Sequence, residues 1–367
     1  FTALQYLDMN GYNRVRVIAP SEGQTRPEIL SEASAGLFDN SLISENTQNI
    51  VRSLLDGQSA SSDPDNEAYR YLIVSVCNAW HSSMPFLFER IADYTELLMP
   101  DDLLSSTSIL AQLREAMTED NCQDVEVIGW LYQFYISEKK DEVFEGLKKN
   151  QKVTPENIPA ATQLFTPNWI VRYLVENSLG RLWMLNNPNS NLIHKMEYYI
   201  ASEEPETDFL KITSPEEIKV CDPACGSGHM LTYSFDLLYA IYEEAGYDAV
   251  SIPTLILKNN LYGIELDQRA GELSAFALTM KARGKHKRFF RDPIQPNICV
   301  LENIKFKTEE LNEYIDEVGR DLFTAPLRTT LTQFEESDNF GSLIQPALDD
   351  VDGIRETFQS KDLSGNL

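Results

Sequence analysis

The stretch Asp222-Pro-Ala-Cys-Gly-Ser-Gly228 decides the fold, because it joins a short β-branched run to an amphipathic helix. The run before it, residues 218–221, is typical of a buried strand. The apolar residues after it share one helical face: Leu231, Phe235, Leu238 and Tyr242. A strand, a tight glycine turn and a helix in this order predict a βα unit, and in such units ligands bind at the turn.

A second unit of the same kind follows. Residues 260–266 indicate a strand, Asp267 is a good N-cap, and a buried stripe of the next helix is predicted at Leu273, Phe276, Ala277 and Met280. Residues 297–301 predict a third strand. Strands that alternate with helices of this length imply a parallel sheet covered on both faces, the doubly wound α/β architecture.

The preceding chain has helical character. Residues 66–150 show helical periodicity, with a core-facing stripe predicted at Ile128, Leu131, Tyr132 and Tyr135. Further on, Thr166 suits an N-cap and Pro167 the first helical position, so a helix is expected from there to Gly180. We expect three parts: a mostly helical N-terminal domain over 1–155, an α/β core over 156–305, and an acidic, partly helical segment over 306–367. The pattern of residues 1–64 is too weak to assign.

Composition limits the class of protein. The chain has 367 residues, 43% of them hydrophobic, which is typical of a globular protein with a real core. No apolar run approaches the ~20 residues that span a bilayer. Five cysteines, an odd count, favour reduced thiols, and we expect a cytoplasmic protein. The net charge of −26 would repel a polyanion, so composition alone does not favour nucleic-acid binding.

The residues of the glycine turn indicate the class of ligand. Gly226 and Gly228 allow a ligand to approach the backbone at the start of a helix. A dinucleotide motif needs a third glycine where this chain has Leu231, and Asp222 would repel a pyrophosphate but accept hydrogen bonds from an ammonium group. Glu265, at the end of the second strand, is placed to bind ribose hydroxyls. Together these residues favour a nucleoside that carries an amino acid.

Two other groups of residues allow alternative interpretations. Cys221, Cys225 and His229 have a spacing that suggests zinc, but a structural site needs four ligands and the glycine turn already explains the segment, so we predict no metal. The basic residues within 281–291 could contact phosphate, or could complement the dipole of a helix end. The sequence leaves that second choice open.

These motifs resemble those of the N6-adenine DNA methyltransferases. Asp222 to Gly228 resembles their first motif, Phe165-Thr-Pro167 the motif that precedes it in one subgroup, and Gly263-Ile-Glu-Leu-Asp267 the second motif. Longer phrases, including residues 129–140 and 158–167, are similar to the PglX family, the methyltransferases of BREX phage-defence systems. The resemblance extends over roughly residues 40–345.

The resemblance implies a Rossmann-like sheet that binds S-adenosylmethionine. Asp222 and the backbone of Gly226 to Gly228 would hold the methionine end, Phe165 and Thr166 would close over it, and Glu265 would bind the ribose. Glu302 or Asn303 would contact the adenine of the cofactor. The implied cofactor-binding residues are Phe165, Thr166, Asp222, Pro223, Ala224, Gly226, Gly228, Glu265, Glu302 and Asn303.

The family also uses a tetrapeptide, Asn/Asp-Pro-Pro-Tyr/Phe, that this sequence lacks; the nearest string is Asn187-Pro-Asn-Ser190. That tetrapeptide holds the amine of a flipped adenine. We therefore expect the N-terminal, cofactor-binding portion of a site-specific adenine methyltransferase of phage defence or restriction-modification, with no catalytic residue of its own and inactive alone. DNA would bind mainly through a missing C-terminal part, and other defence-system proteins are candidate partners.

Two alternatives remain open at this point. The chain could belong to a methyltransferase that acts on another amine, in RNA or protein, because such enzymes share the first motif. It could also be a non-catalytic interaction subunit with a vestigial cofactor site.

Overall fold

The computed structural model describes residues 1–91, 98–202, 204–303, 305, 307–309, 311–313 and 324–347. The N-terminal helices are α1 (Thr2–Met9), α2 (Glu28–Ser34), α3 (Glu45–Leu55), α4 (Pro64–Trp80), α5 (Ile109–Ala116) and α6 (Glu126–Lys148). The next helices are α7 (Ile158–Thr162), α8 (Asn168–Val175) and α9 (Arg181–Asn186). The α/β part then begins.

That part contains a parallel sheet, which in the described residues has the order β1 (Val220–Asp222), β2 (Leu261–Glu265) and β3 (Asn297–Val300). Helix α10 (His229–Glu244) and the short α11 (Ile252–Asn259) connect β1 to β2, and α12 (Gln268–Lys285) connects β2 to β3. The predicted strand, glycine turn and helix are confirmed. The mixed α/β class is also confirmed, and the strand ends differ from the predicted ones by one or two residues.

Helix α12 joins the two halves of the molecule. One core cluster contains buried side chains of α1 to α6 and reaches α12 through Phe276, Ala277 and Met280. A second cluster contains β1, β2, α10 and α11 and reaches α12 through Leu278 and Ala282. Because both cores share one helix, the N-terminal helices lie directly against the α/β part.

The sheet has two different faces. An added Cβ at Gly263 would meet Leu231 of α10 and Ile298 of β3, so this face packs under the helices. Side chains alternate along a strand, which directs Cys221 and Cys299 to the other face. Both cysteines are exposed. The predicted cover of helices on both faces is therefore seen on one face of the described sheet.

The start and end of the helix after Pro167 were predicted wrongly. Helix α8 begins at Asn168 with Pro167 as its N-cap, and the Thr166 side chain makes no capping hydrogen bond. Beyond Val175 the chain makes a π-helical turn over Glu176–Gly180 and continues as α9. Gly180 keeps right-handed helical dihedrals, and its missing side chain leaves room for the Met196 sulfur, with which an added Cβ would collide.

The predicted core stripe of α6 was partly wrong. Ile128 and Tyr132 are buried, whereas Tyr135 is 66% exposed. The buried positions instead continue at Ile136, so the stripe follows a spacing of four residues. Residues 1–64, which the sequence left unassigned, form α1, α2 and α3 with the connecting loops.

Two remaining expectations concern the chain as a whole. Among the described residues no helix is both long and apolar enough to cross a membrane. The acidic C-terminal segment contains helices over Thr324–Gln333 and Ser337–Phe340. The domain boundaries at 155 and 305 stay predictions.

Candidate functional site

The carboxylates of Asp222 and Glu265 lie at the same edge of the sheet. Asp222 is the last residue of β1 and pairs with Gly263 of β2, two residues before Glu265. The turn after β1 is fixed to β2, because the Cys225 N–H donates to the Ile264 carbonyl at 3.0 Å. The structure thus brings together the two acidic residues that the sequence selected.

The two glycines of the turn have different functions. Gly226 has φ +54°, and an added Cβ would meet nothing within 4 Å, so its surroundings are open to a ligand. Gly228 has φ +89°, and an added Cβ would lie 2.5 Å from the Ser274 Oγ of α12. Both need the left-handed conformation that glycine adopts without strain. Gly226 therefore suits backbone approach by a ligand, whereas Gly228 suits close packing of the turn on α12.

Glu265 binds the turns on both sides of it. Its Oε2 accepts a hydrogen bond from the Gly226 N–H at 2.6 Å. Its Oε1 accepts from the Leu266 N–H at 2.9 Å and the Asp267 N–H at 3.0 Å. A carboxylate offers about four acceptor positions. One position, on Oε2, remains for a hydroxyl, and a second hydroxyl would have to replace a backbone donor.

Asp222 is half-buried and accepts a hydrogen bond from the Ala224 N–H at 3.1 Å. Burial raises the pKa of the Asp222 carboxyl above its ordinary value, and the bond from Ala224 offsets part of that increase. Pro223 and Ala224 are exposed. Within the part of the chain that the structure describes, no cation pairs with this half-buried carboxylate, which is therefore suited to bind a cationic group.

The two carboxylates also act on a neighbouring thiol. Burial, followed by the charges of Glu265 and Asp222, raises the pKa of Cys225 to about 12. Both carboxylates therefore direct negative potential at the turn. At neutral pH the Cys225 thiol stays protonated and is a poor nucleophile and metal ligand.

Residues of the Phe-Thr-Pro motif lie beside the turn. The Phe165 ring contacts the His229 ring edge-to-face, with centroids 6.2 Å apart, and His229 directly follows Gly228. Thr166 is half-buried next to it. Glu302 and Asn303 are exposed just beyond β3, whose end is tied to β2 by the Leu301 N–H donating to the Glu265 carbonyl at 2.8 Å. All of these positions lie on the strand-end side of the sheet.

The sequence did not identify Tyr132 and Gln163, which contact the second motif. The Tyr132 hydroxyl and the Gln163 Nε2 both donate to Oδ2 of Asp267, the latter at 3.3 Å. The sequence did contain one indication that α6 packs closely against another element. Gly129 lies inside α6, where glycine costs about 1 kcal/mol relative to alanine, so it indicates close packing. Its added Cβ would lie 2.9 Å from the Ser227 Oγ in the glycine turn.

The basic cluster of residues 281–291 lies far from this site. At 1.5 Å per residue along helix α12, Lys281 lies about 21 Å and Lys285 about 27 Å from Asp267. The cluster is therefore at the opposite edge of the sheet. Several of its cations contact the protein itself: Lys281 pairs with Asp236 at 2.7 Å, Arg283 stacks on Tyr12, and Lys285 lies over Tyr239.

Comparison with known proteins finds similar methyltransferases. The family model described as "MmeI, DNA-methyltransferase domain" matches residues 207–294, which include β1, the glycine turn, β2 and α12. Over 383 residues the chain is 41% identical to the adenine-specific methyltransferase BrxX of Escherichia coli O9:H4 (strain HS). It is 32% identical over 364 residues to the adenine-specific methyltransferase PglX of Lacticaseibacillus casei (strain Zhang). The chain is a homologue of these adenine-specific methyltransferases.

The predicted resemblance to the PglX family is thereby confirmed. The matches cover 96% and 93% of this chain but only 31% and 29% of BrxX and PglX, so the chain spans less than a third of either relative. A third relative, the putative type II restriction enzyme and methyltransferase RM.MjaORFECS2P of Methanocaldococcus jannaschii, is 25% identical over 175 residues, 44% of this chain and 14% of that protein.

Proposed function

We propose that this chain binds S-adenosylmethionine at the ends of β1 and β2 and provides that site to an adenine-specific DNA methyltransferase. The observation that carries the proposal is the pair of carboxylates, Asp222 and Glu265, on either side of the open turn at Gly226. The names of the similar proteins support it, because BrxX and PglX are described as adenine-specific methyltransferases. When bound, the cofactor supplies an electrophilic methyl group.

The proposed site fits the parts of this cofactor. The half-buried Asp222 carboxylate would accept hydrogen bonds from the ammonium group, with Pro223 and Ala224 beside it. The turn from Gly226 to Gly228 would contact the rest of the methionine part through its backbone. The free acceptor position of Glu265 Oε2 would bind one ribose hydroxyl. The second ribose hydroxyl would take the place of a backbone donor.

The outer residues would complete the enclosure. Phe165, which already packs against His229, and Thr166 would lie over the methionine end. Glu302 or Asn303, which follow β3, would contact the adenine of the cofactor. We further propose that β1, β2 and β3 are the first part of a Rossmann-like sheet, since their parallel order and glycine turn are those of a nucleoside-binding α/β fold.

Adenine in DNA is the substrate that the comparisons favour. Both relatives of more than 30% identity are named for adenine, and the matching family model is a DNA-methyltransferase domain. These names favour DNA over an RNA or protein amine. A vestigial site is disfavoured by the geometry, because Gly226 remains open and both carboxylates remain at the turn.

Calorimetric titration with S-adenosylmethionine tests the proposal. We expect a dissociation constant between about 1 μM and 0.2 mM, which is about −8 to −5 kcal/mol. Glu265→Ala should weaken binding, because a hydrogen bond to a charged group contributes about 1.5–3 kcal/mol. A folded chain that shows no binding at millimolar cofactor would refute the proposal.

A further inference from the structure

The N-terminal helices contact both turns of the proposed cofactor site through α6. Near its start, Gly129 packs against Ser227 of the glycine turn, and Glu126 Oε1 lies 3.5 Å from Nδ1 of His229. One helical turn later, Tyr132 reaches Asp267. One helix thus touches the glycine turn after β1 and the turn after β2.

A continuous series of hydrogen bonds leads from α6 to the proposed ribose-binding carboxylate. The Tyr132 hydroxyl donates to Oδ2 of Asp267, and the Asp267 N–H donates to Oε1 of Glu265 at 3.0 Å. The other oxygen of Asp267, Oδ1, accepts from the Arg269 N–H at 3.0 Å and caps α12. Because both Asp267 oxygens are engaged, its backbone N–H is held in one place relative to Glu265.

We infer that Tyr132 is a positioning residue for the cofactor site: through Asp267 it orients Glu265 and so sets the affinity for S-adenosylmethionine. This inference rests on the proposed function. It assigns the N-terminal helices a part in cofactor binding, although they supply no group that touches the cofactor. Gln163 supports the same oxygen of Asp267 from the loop before α8.

The burial of the contact supports this assignment. Tyr132 is 9% exposed, and burial, followed by the hydrogen bond to the Asp267 carboxylate, raises its pKa above the ordinary value. The phenol therefore remains a hydrogen-bond donor at physiological pH. A donor held in a dry interface keeps its acceptor in a narrower range of orientations than water would.

Tyr132→Phe removes the donor and keeps the ring. We expect the dissociation constant for S-adenosylmethionine to rise about threefold to tenfold, the effect of one lost hydrogen bond acting indirectly. The matched control is Tyr135→Phe. Tyr135 lies on the same helix, stacks on Tyr132 and also uses its hydroxyl, as an acceptor from Arg269 at 3.2 Å, but makes no hydrogen bond to Asp267. Its removal should change the constant by less than about twofold.

A double-mutant cycle with Glu265→Ala separates positioning from simple stabilisation. If Tyr132 acts through Glu265, Tyr132→Phe should weaken binding in the unsubstituted chain and have little further effect once Glu265 is alanine. A purely structural function would lower the melting temperature and leave the dissociation constant of the folded protein unchanged. Melting curves recorded with each titration show that the measured samples are folded.

Gln163→Leu gives a second test if Tyr132→Phe does not fold, because it removes the other donor to Oδ2 of Asp267 from a half-buried loop position. It too should weaken binding, by a smaller factor. Folded variants at both positions that bind as well as the unsubstituted chain would overturn the inference and leave the proposed function intact. An unsubstituted chain that binds no cofactor would overturn both.

Discussion

Replacing Asp222 with asparagine should make the protein more stable and its cofactor binding weaker. The substitution keeps the side-chain shape and the Oδ1 that accepts from the Ala224 N–H, so the turn should keep its conformation. It removes the negative charge. Loss of the charge should raise the stability of the protein and lower its affinity for the cofactor, and these opposite effects make the prediction specific.

The gain in stability follows from the pKa. Burial raises the pKa of Asp222 in the folded protein above its ordinary value of 3.8. The contribution of such an acid to stability is fully present below pH 3.8, where the carboxyl is protonated in both the folded and the unfolded state. This stabilisation is lost as the pH rises through the pKa of the folded state. At neutral pH the ionised carboxylate therefore opposes folding. Asp222→Asn should raise the melting temperature at pH 7, and the difference should diminish as the pH is lowered toward 4.

The loss of affinity follows from the ammonium group. A charge-assisted hydrogen bond contributes about 1.5–3 kcal/mol, which is about a 10- to 150-fold change in the dissociation constant. Asparagine keeps a neutral acceptor, so we expect a loss near the lower end of that range. Calorimetry gives the affinity, and thermal melting without ligand gives the stability.

Asp236→Asn is the matched control. Asp236 lies on α10, where its carboxylate pairs with Lys281 at 2.7 Å, and the charge of Asp236 helps to raise the pKa of that largely buried amine. The same chemical change should lower the melting temperature there, because it leaves a cation without its partner, and should leave cofactor affinity unchanged. An Asp222→Asn protein that binds as tightly as the unsubstituted chain would refute the assignment of Asp222 to the ammonium group.

Two further predictions concern the turn and the thiols. Gly228→Ala should lower the free energy of unfolding by about 2–4 kcal/mol, because it combines a positive φ with a collision against α12. Gly226→Ala has open space around the added Cβ and should lower it by only about 1–2 kcal/mol. Urea titrations measure both losses, and equal losses would contradict the separate functions of the two glycines. A thiol reagent at neutral pH should modify the exposed Cys221 and Cys299 quickly. Cys225, which is buried and has a pKa of about 12, should react only when the protein unfolds. Fast modification of Cys225 in the native protein would disprove its burial.

Local pattern was sufficient for the α/β part because its signals lie within a few residues of what they determine. Asp267 caps α12 through the Arg269 N–H, as predicted from its position before a helical stripe. The strands ended close to the predicted residues because the glycine turn and the N-cap mark their ends. The acidic pair was also predictable, since residues that end adjacent parallel strands meet at one edge.

The first 64 residues were not predictable in the same way. Helices α1, α2 and α3 are only 7 to 11 residues long, too short for a periodic pattern to stand out. Their connections depend on tertiary contacts. The buried Asp8 carboxylate accepts hydrogen bonds from the N–H groups of Val17, Ile18 and Ala19. These three residues form a loop that no turn motif in the sequence predicts.

The hydrogen bonds that position the candidate site were not predictable either, because they join residues far apart in the chain. Tyr132 and Asp267 are 135 positions apart, and Gln163 and Asp267 are 104 apart. Periodicity correctly placed Tyr132 in the core but could not show which polar group its hydroxyl meets there. Gly129, three positions earlier, carries the missing information: a glycine inside a helix is unfavourable unless another backbone or side chain must approach it closely. Since the group that approaches Gly129 is Ser227 of the glycine turn, the sequence feature that disfavours α6 locally is the one that fits α6 against the proposed cofactor site.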